Sequence, residues 1–139
     1  MNDKKITDVL NSTKTIALVG ASDNEQRPSY QVMAYLLAQG YQVIPVSPKL
    51  AGKTLLGQTA YADLQDIPQP VDMVDVFRHA DAALDIAKQA IEIGAKTLWL
   101  QIGVISEQAA VLAGAAGLTV VMDHCPKLEI PRLNLEKRT

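Results

Sequence analysis

The stretch that decides the fold reads Thr-Ile-Ala-Leu-Val-Gly-Ala-Ser over residues 15–22. Its first five residues form a short apolar run with β-branched members, which is typical of a strand buried on both faces. Gly20 ends this run at a point where the backbone must turn tightly, and a helix is predicted to follow. Pro28 suits the first turn of that helix, and Gly40 is placed to cap its C-terminus.

Strand, glycine turn and helix start together predict an anion-binding site. Free backbone N–H groups and the positive end of the helix dipole converge at such a turn, and phosphate is the expected guest. The dinucleotide fingerprint has three glycines, however, and Ser22 and Glu25 stand at the later glycine positions here. A strand ending in glycine is also common in α/β proteins that bind no nucleotide at that point, so the motif alone leaves both interpretations open.

Length and composition limit the class of protein. A chain of 139 residues predicts a single domain over 1–139, large enough to bury about two thirds of its unfolded surface without disulfides or metals. A formal net charge of −2 argues against a nucleic-acid partner, because such binders usually carry a strong basic patch. The one cysteine, Cys125, excludes an intrachain disulfide. With no signal-peptide pattern and no apolar run of membrane-spanning length, the sequence predicts a cytoplasmic protein.

Strand and helix patterns alternate along the predicted core of the domain, residues 14–125. Four further strands are expected near 41–46, 71–77, 97–102 and 118–122, with helices at 3–11, 81–93 and 107–116, a long loop at 50–70 and a C-terminal arm at 126–139. This alternation predicts an α/β fold, a single Rossmann-like domain with a five-stranded, mainly parallel sheet and helices on both faces. A phosphate turn after a central first strand favours strand order 3-2-1-4-5 over 2-1-3-4-5.

The charges after the glycine turn bear on which nucleotide is expected. No Asp or Glu occurs between Glu25 and Asp63, whereas NAD sites usually place an acid about 20 residues after the turn to bond the ribose 2′-hydroxyl. This chain offers Ser47 and Lys49 there, which suit a phosphorylated ribose. Arg27 lies just before the predicted helix, where a cation opposes the helix dipole unless an anion is present. The remaining candidates are NADP and coenzyme A.

A set of short motifs then resembles the small bacterial CoA-binding domain family, which is similar to the CoA-binding Rossmann domain of the succinyl-CoA synthetase alpha subunit and of NDP-forming acyl-CoA synthetases. The resemblance runs from about Lys14 to Leu133. It departs from the family pattern at Ser47, where Asn is common, and at His124, where Arg is common. The motifs are Gly20-Ala21-Ser22, Arg27-Pro28-Ser29-Tyr30, Gly40-Tyr41, Pro45-Val46-Ser47-Pro48-Lys49, Val71-Asp72, Val76-Phe77-Arg78, Trp99-Leu100-Gln101-Ile102-Gly103 and Asp123-His124-Cys125-Pro126.

The resemblance implies coenzyme A or an acyl-CoA bound across the strand ends. The Gly20 turn and Arg27 would hold phosphates, and Ser47 and Lys49 would sit at the adenosine end. Gln101 has two interpretations, a bond to a ligand amide or one to a loop carbonyl. The full set of expected ligand residues is Gly20, Ala21, Ser22, Arg27, Pro28, Ser29, Val46, Ser47, Pro48, Lys49, Val76, Phe77, Arg78 and Gln101, of which Val76, Phe77 and Arg78 would flank the adenine or the pantetheine arm.

No catalytic constellation or metal site is predicted. Adjacent positions on a strand point to opposite sides, so His124 and Cys125 do not imply a thiolate–imidazole pair. Cys125 is the one catalytic candidate; it is either a small buried apolar residue or a partner for the CoA thiol in a mixed disulfide. Asp72 and Asp75 are expected to face opposite ways and to anchor neighbouring loops.

Two functions of different classes follow from the sequence. The first is a non-catalytic module that binds CoA or acyl-CoA, acting as a sensor or as a partner of an acyl-transferring enzyme. The alternative is an NADP-dependent oxidoreductase, or a thiol-redox protein that uses Cys125. Neither nucleic acid nor membrane is expected as a partner, and the sequence does not indicate the oligomeric state or an acyl group.

Overall fold

A computed structural model describes residues 2–137, in which helices and strands alternate as the sequence predicts. The helices are α1 (Asp3–Ser12), α2 (Pro28–Ala38), α3 (Ala83–Glu92), α4 (Glu107–Ala115) and α5 (Pro126–Arg132). The strands are β1 (Thr15–Val19), β2 (Gln42–Val46), β3 (Thr54–Leu55), β4 (Gln58–Thr59), β5 (Met73–Val76), β6 (Thr97–Leu100) and β7 (Thr119–Met122). Short 3-10 turns occupy Leu64–Asp66 and Ala80–Ala82.

Five strands form one parallel sheet in the order β2-β1-β5-β6-β7, and β3 and β4 form a separate antiparallel pair. The predicted Rossmann-like α/β class is therefore confirmed. The predicted strand order 3-2-1-4-5 is wrong, because the five main strands, counted along the chain, are arranged 2-1-3-4-5.

Two sets of hydrogen bonds explain why the third main strand, β5, lies beside β1 and not beside β2. The carboxylate Oδ2 of Asp72 accepts hydrogen bonds of 3.0 Å from the backbone N–H groups of both Lys14 and Thr15, which fixes the start of β5 against the start of β1. The outer edge of β2 is already occupied, since Tyr61 exchanges backbone hydrogen bonds with Pro45 and Ser47. Pro45 also lacks an N–H to donate, as is usual on edge strands.

Each face of the sheet is covered by its own set of helices. α1, α2 and α5 cover one face, where Ile6, Met33 and Ile130 pack with Leu18 of β1. α3 and α4 cover the other face, where their small residues, such as Ala87, pack against the strands. Alternate residues of each strand thus enter different cores, and every central strand is buried on both sides.

The C-terminal segment corrects a second expectation. In place of an arm over 126–139, residues Pro126–Arg132 form α5, which packs on α1 and α2 and buries Ile130 to 1% exposure. Pro126 starts this helix, where a proline is tolerated, and Pro131 is its penultimate residue. Residues 138 and 139 of the expected arm lie outside the described part of the chain.

Candidate functional site

The carboxyl ends of β1, β2 and β5 open into a cavity of about 970 Å³. Ligands bind at this position in open α/β sheets, just beyond the strand ends. The cavity brings together the expected ligand residues with two exceptions, Val76 and Gln101. Its lining consists of Val19, Gly20, Ala21, Ser22, Asn24, Arg27, Pro28, Ser29, Val46, Ser47, Pro48, Lys49, Ala62, Asp63, Leu64, Phe77, Arg78, His79, Ala82, Asp85, Ile86 and Gln89.

The glycine turn is fixed by the two neighbouring strands. Gly20 has φ of +91°, and a Cβ placed there would lie 2.2 Å from the backbone oxygen of Phe77. The N–H groups of Gly20 and Ala21 both donate to the carbonyl of Val46, at 3.0 and 3.3 Å. The expectation of free N–H groups at the turn is therefore wrong for these two residues, whose amides hold β1 against the end of β2.

The loop between Gly20 and α2 is held in shape by its own hydrogen bonds. Asn24 organises this loop, because its backbone N–H donates to Ser22 Oγ and its side-chain oxygen accepts from Gln26 N–H, each at 3.0 Å. α2 then begins at Pro28 with no side-chain cap from Arg27. Ser29 is 6% exposed and, within residues 2–137, its hydroxyl makes no hydrogen bond. The uncapped helix start and this hydroxyl both line the cavity, an arrangement typical of anion sites at helix N-termini.

Three cations line the same cavity. Arg27, Lys49 and Arg78 are all exposed and line the cavity from three different segments. Within residues 2–137 none of them forms an ion pair or a side-chain hydrogen bond with the protein. Ser47, 8% exposed, adds a hydroxyl beside Lys49. These four residues, which we call the cationic side of the cavity, therefore present positive charge that has no ion-pair partner within residues 2–137, a feature typical of phosphate sites.

Sequence reasoning missed a second group of residues in the cavity lining. This group, which we call the α3 wall, consists of Ala62, Asp63 and Leu64 from the loop after β4 together with Ala82, Asp85, Ile86 and Gln89. The last four residues follow the spacing of one helical face, and this spacing could have identified them. The stronger pattern in α3 is its core-facing side, where Ala83, Ala87 and Ala90 are buried.

The two expected ligand residues outside the cavity lie within the sheet. Val76 is fully buried at the end of β5. Gln101 is 5% exposed, and its Nε2 donates to Asp75 Oδ1 at 2.7 Å. Asp75 is itself fully buried, so it does not anchor a loop as predicted, whereas Asp72 does. Burial raises the pKa of Asp75 to about 7, and its Oδ2 has no hydrogen-bond partner among residues 2–137.

Cys125 and His124 lie outside the cavity lining, whereas His79 belongs to it. Cys125 is partly buried against the core beneath α1, α2 and α5 and does not line the cavity. Burial raises the pKa of its thiol, which disfavours the reactive thiolate. His124 Nδ1 lies 2.8 Å from the carbonyl oxygen of Met122, and its Nε2 lies 3.6 Å from Glu129 Oε1. His79 is exposed at the mouth of the cavity, next to Arg78.

Fold and cavity together define an α/β domain of the Rossmann-like class with a cationic site at its strand ends. Over residues 14–131 the sequence matches the family described as CoA binding domain, and the chain belongs to this family. It is 36% identical over 124 residues to the uncharacterized protein YneT of Bacillus subtilis, an alignment that covers 89% of this chain and 90% of that one.

Solved structures agree with this placement. A hypothetical protein from Pyrococcus horikoshii superposes with a TM-score of 0.92 at 38% identity, covering 96% of this chain and 93% of the other. The dinucleotide-forming acetyl-coenzyme A synthetase 1 of Ca. Korarchaeum cryptofilum, in complex with phosphate and ADP, matches with a TM-score of 0.70 at 23% identity. That alignment covers 84% of this chain but 27% of the synthetase, and it shows a shared fold.

Two wider searches of residues 2–137 complete the description. None of the helices there combines the length and apolar character needed to cross a bilayer. Histidine, cysteine and acidic side chains do not gather in that part of the chain into a group that could hold a metal ion.

Proposed function

We propose that this protein binds coenzyme A or an acyl-CoA in the cavity at the strand ends, as a stand-alone and non-catalytic binding module. The observation that carries the proposal is that Arg27, Lys49 and Arg78, which have no ion-pair partner within residues 2–137, line the same cavity as the uncapped start of α2. Membership in the CoA-binding domain family supports coenzyme A as the ligand.

The phosphates of CoA match the positions of these cations. Its 5′-diphosphate would lie over the start of α2, between Arg27 and Arg78, where the helix dipole adds to the attraction. Its 3′-phosphate would lie at the end of β2, beside Ser47 and Lys49. Each charge-assisted hydrogen bond at these positions is worth about 1.5 to 3 kcal/mol.

The non-catalytic role is supported by the same part of the structure. Among the described residues that line the cavity there is no cysteine, and the serines at 22, 29 and 47 have no histidine within hydrogen-bonding distance. Covalent catalysis usually needs a nucleophile next to such a base. We therefore expect the protein to hold an acyl-CoA without cleaving its thioester.

Ligand-induced thermal stabilisation tests the binding proposal. A ligand present at 100 times its Kd stabilises the folded state by about 2.7 kcal/mol, and CoA, dephospho-CoA, NADP and NAD can be compared at equal concentration. We expect CoA to raise the melting temperature most and dephospho-CoA, which lacks the 3′-phosphate, to do so less. Equal responses to all four would contradict the proposal.

A substitution then tests the assignment of the 3′-phosphate. Lys49→Ala should weaken CoA more than dephospho-CoA, and Lys53→Ala, on the same loop but outside the cavity lining, is the matched control. If Lys49→Ala weakens both ligands equally, the lysine does not contact the 3′-phosphate. The non-catalytic role is checked separately by incubating the protein with acetyl-CoA and measuring free thiol, which should not increase.

A further inference from the structure

The outer faces of α3 and α4 meet in a groove of about 560 Å³, which we call the α3–α4 groove. It shares no lining residue with the cavity at the strand ends, so α3 contributes one set of residues to the α3 wall and a different set to the groove. The lining of the groove consists of Leu84, Lys88, Glu107, Gln108, Val111 and Leu112.

The part of α4 that borders this groove carries almost no charge. Between Glu107 and Asp123 the sequence contains no Asp, Glu, Lys or Arg. A helix on the surface of a soluble domain usually has charged and polar residues on its outer face. The exposed positions of α4 after Glu107 are Gln108, Val111, Gly114 and Ala115. The outer face of this helix therefore has the composition of a surface that another protein covers.

Val111 and the groove beside it have complementary shapes. The valine is 69% exposed, whereas Leu84 and Leu112 in the same lining are only partly exposed. The surface thus carries a projecting apolar side chain next to an apolar depression. Such a surface matches a second copy of itself, because a two-fold axis brings each projection to the groove of the other copy.

The charges at the groove also favour a second copy of this chain. Lys88 and Glu107 are exposed, have opposite signs and form no ion pair within residues 2–137. A strongly acidic or strongly basic partner would be repelled by one of the two. Under a two-fold axis, Lys88 of each copy can lie opposite Glu107 of the other, which gives two equivalent ion pairs.

We propose that the α3–α4 groove is the contact surface of a homodimer, in which Val111 of each copy packs into the groove of the other and Lys88 pairs with Glu107. A stable contact buries about 800 Å² of each partner, so it extends from the groove along the outer face of α4. The small residues Gly114 and Ala115 let two helices approach closely there. The inference does not rest on the proposed function, since groove and cavity share no lining residue.

Sedimentation velocity over a range of protein concentrations tests the contact surface. We expect the wild type to form a dimer and Val111→Glu to raise its dissociation constant roughly a hundredfold, because a charge would enter each of two equivalent apolar contacts. Glutamate favours a helix at least as much as valine does, so the variant should fold. Leu128→Glu, at a residue of α5 that is 57% exposed, is the matched control on the opposite face of the sheet.

Three outcomes of this experiment would overturn the proposal. The first is a wild type that stays monomeric at every concentration. The second is a dimer that Val111→Glu leaves intact, which would mean that the contact lies elsewhere on the surface. The third is an equal loss of the dimer in Val111→Glu and Leu128→Glu, which would mean that any added charge on an exposed apolar residue has this effect.

Charge reversal tests the pairing of Lys88 with Glu107. Lys88→Glu and Glu107→Lys should each weaken the dimer about tenfold, since each variant alone would bring like charges together at two places. In a mixture of the two variants, the mixed dimer again joins opposite charges, and dimerisation should return to near the wild-type level. Far-UV circular dichroism checks that each variant is folded. If the mixture dimerises no better than the separate variants, the two residues do not face each other and the proposed contact is wrong.

Discussion

Charged side chains form ion pairs at the contact between α1 and α5, whereas the cations of the cavity have no ion-pair partner within residues 2–137. At the contact, Glu129 is 6% exposed and receives Arg132 Nε at 2.7 Å, while the same guanidinium donates to Asp3 Oδ1 at 2.9 Å. His124 lies 3.6 Å from Glu129 on the other side. In the cavity, Arg27, Lys49 and Arg78 have no such partners within residues 2–137. We call the first region the α1–α5 clasp.

This comparison distinguishes charged residues that stabilise the fold from charged residues that are available to bind a ligand. A buried carboxylate such as Glu129 is tolerated because the protein itself surrounds it with donors. Exposed cations grouped around a cavity gain nothing from the folded chain and repel one another until an anion arrives. Removing a charge should therefore destabilise the protein at the clasp and leave it unaffected at the cavity.

The largest loss of stability is expected from a substitution of Gly20, in the turn after β1 that lines the cavity. Gly20→Ala places a methyl group 2.2 Å from the backbone oxygen of Phe77 and forces a non-glycine residue to φ of +91°. We expect the free energy of unfolding to fall by roughly 4 kcal/mol, because backbone and not a flexible side chain must move. Chemical denaturation measures this change.

Gly52→Ala is the matched control for Gly20→Ala. Gly52 has φ of +83°, but no atom lies within 4 Å of its Cβ position, so only the conformational penalty of about 1 kcal/mol remains. Equal losses for the two variants would mean that the close approach of β1 to β5 is not rigid.

Asp75 differs from both regions, because its carboxyl group is fully buried and one of its oxygens has no hydrogen-bond partner within residues 2–137. Its raised pKa of about 7 means that the folded state favours the protonated carboxyl. The resulting stabilisation is complete below the ordinary pKa near 3.8 and is lost as the pH rises toward 7. Asp75→Asn keeps the acceptor for Gln101 and does not titrate, which should gain about 4 kcal/mol at pH 8. It also places amide N–H groups where Oδ2 has no partner within residues 2–137, so we expect a net gain of roughly 1 to 3 kcal/mol.

Unfolding of both proteins at several pH values between 4 and 8 checks this prediction. The informative quantity is the difference between wild type and variant, because other groups that titrate in this range are common to both. A difference that stays constant with pH would show that Asp75 is ionised throughout and reaches water.

Removing the charge of Glu129 in the α1–α5 clasp should lower the stability of the protein, whereas removing that of Asp75 should raise it. Glu129→Gln keeps the shape of the side chain but replaces charge-assisted bonds to Arg132 with neutral ones, and we expect a loss of about 1 to 2 kcal/mol. Asp8→Asn, in the exposed Lys4–Asp8 pair on α1, is the control and should cost less than about 0.5 kcal/mol. If both variants lose the same amount, the clasp is no more than a surface ion pair.

The parts of the molecule that sequence could predict are those set by neighbouring residues. β1, the Gly20 turn, α2 and its end at Gly40, with φ of +95°, follow from apolar runs and from the positions of glycine and proline. The residues of the cationic side were predicted for the same reason, since they lie immediately after strands or before a helix.

The remainder depends on contacts between distant segments. The place of β5 in the sheet is set by Asp72 bonding Lys14 and Thr15, across more than fifty residues of sequence. The arm predicted over 126–139 contains α5 because Ile130 packs in the core, and this packing is not visible in the sequence. Gln101 and Asp75 read as a ligand group and a loop anchor, since only the fold shows that they meet each other within the core.

The smallest effect on stability is expected for a cation of the cavity. The same substitution also tests the comparison between the cavity and the clasp most directly. Arg78→Met should change the free energy of unfolding of the ligand-free protein by less than about 0.5 kcal/mol, because no partner in residues 2–137 loses a bond. Its stabilisation by CoA should nevertheless fall, and the salt dependence of CoA binding should weaken with it. Lys53→Met, which removes an exposed cation from the loop after β2 outside the cavity lining, should alter neither property. If Arg78→Met destabilised the ligand-free protein as much as Glu129→Gln does, the arginine would belong to the architecture of the fold, and the division between paired and reserved charges would not hold.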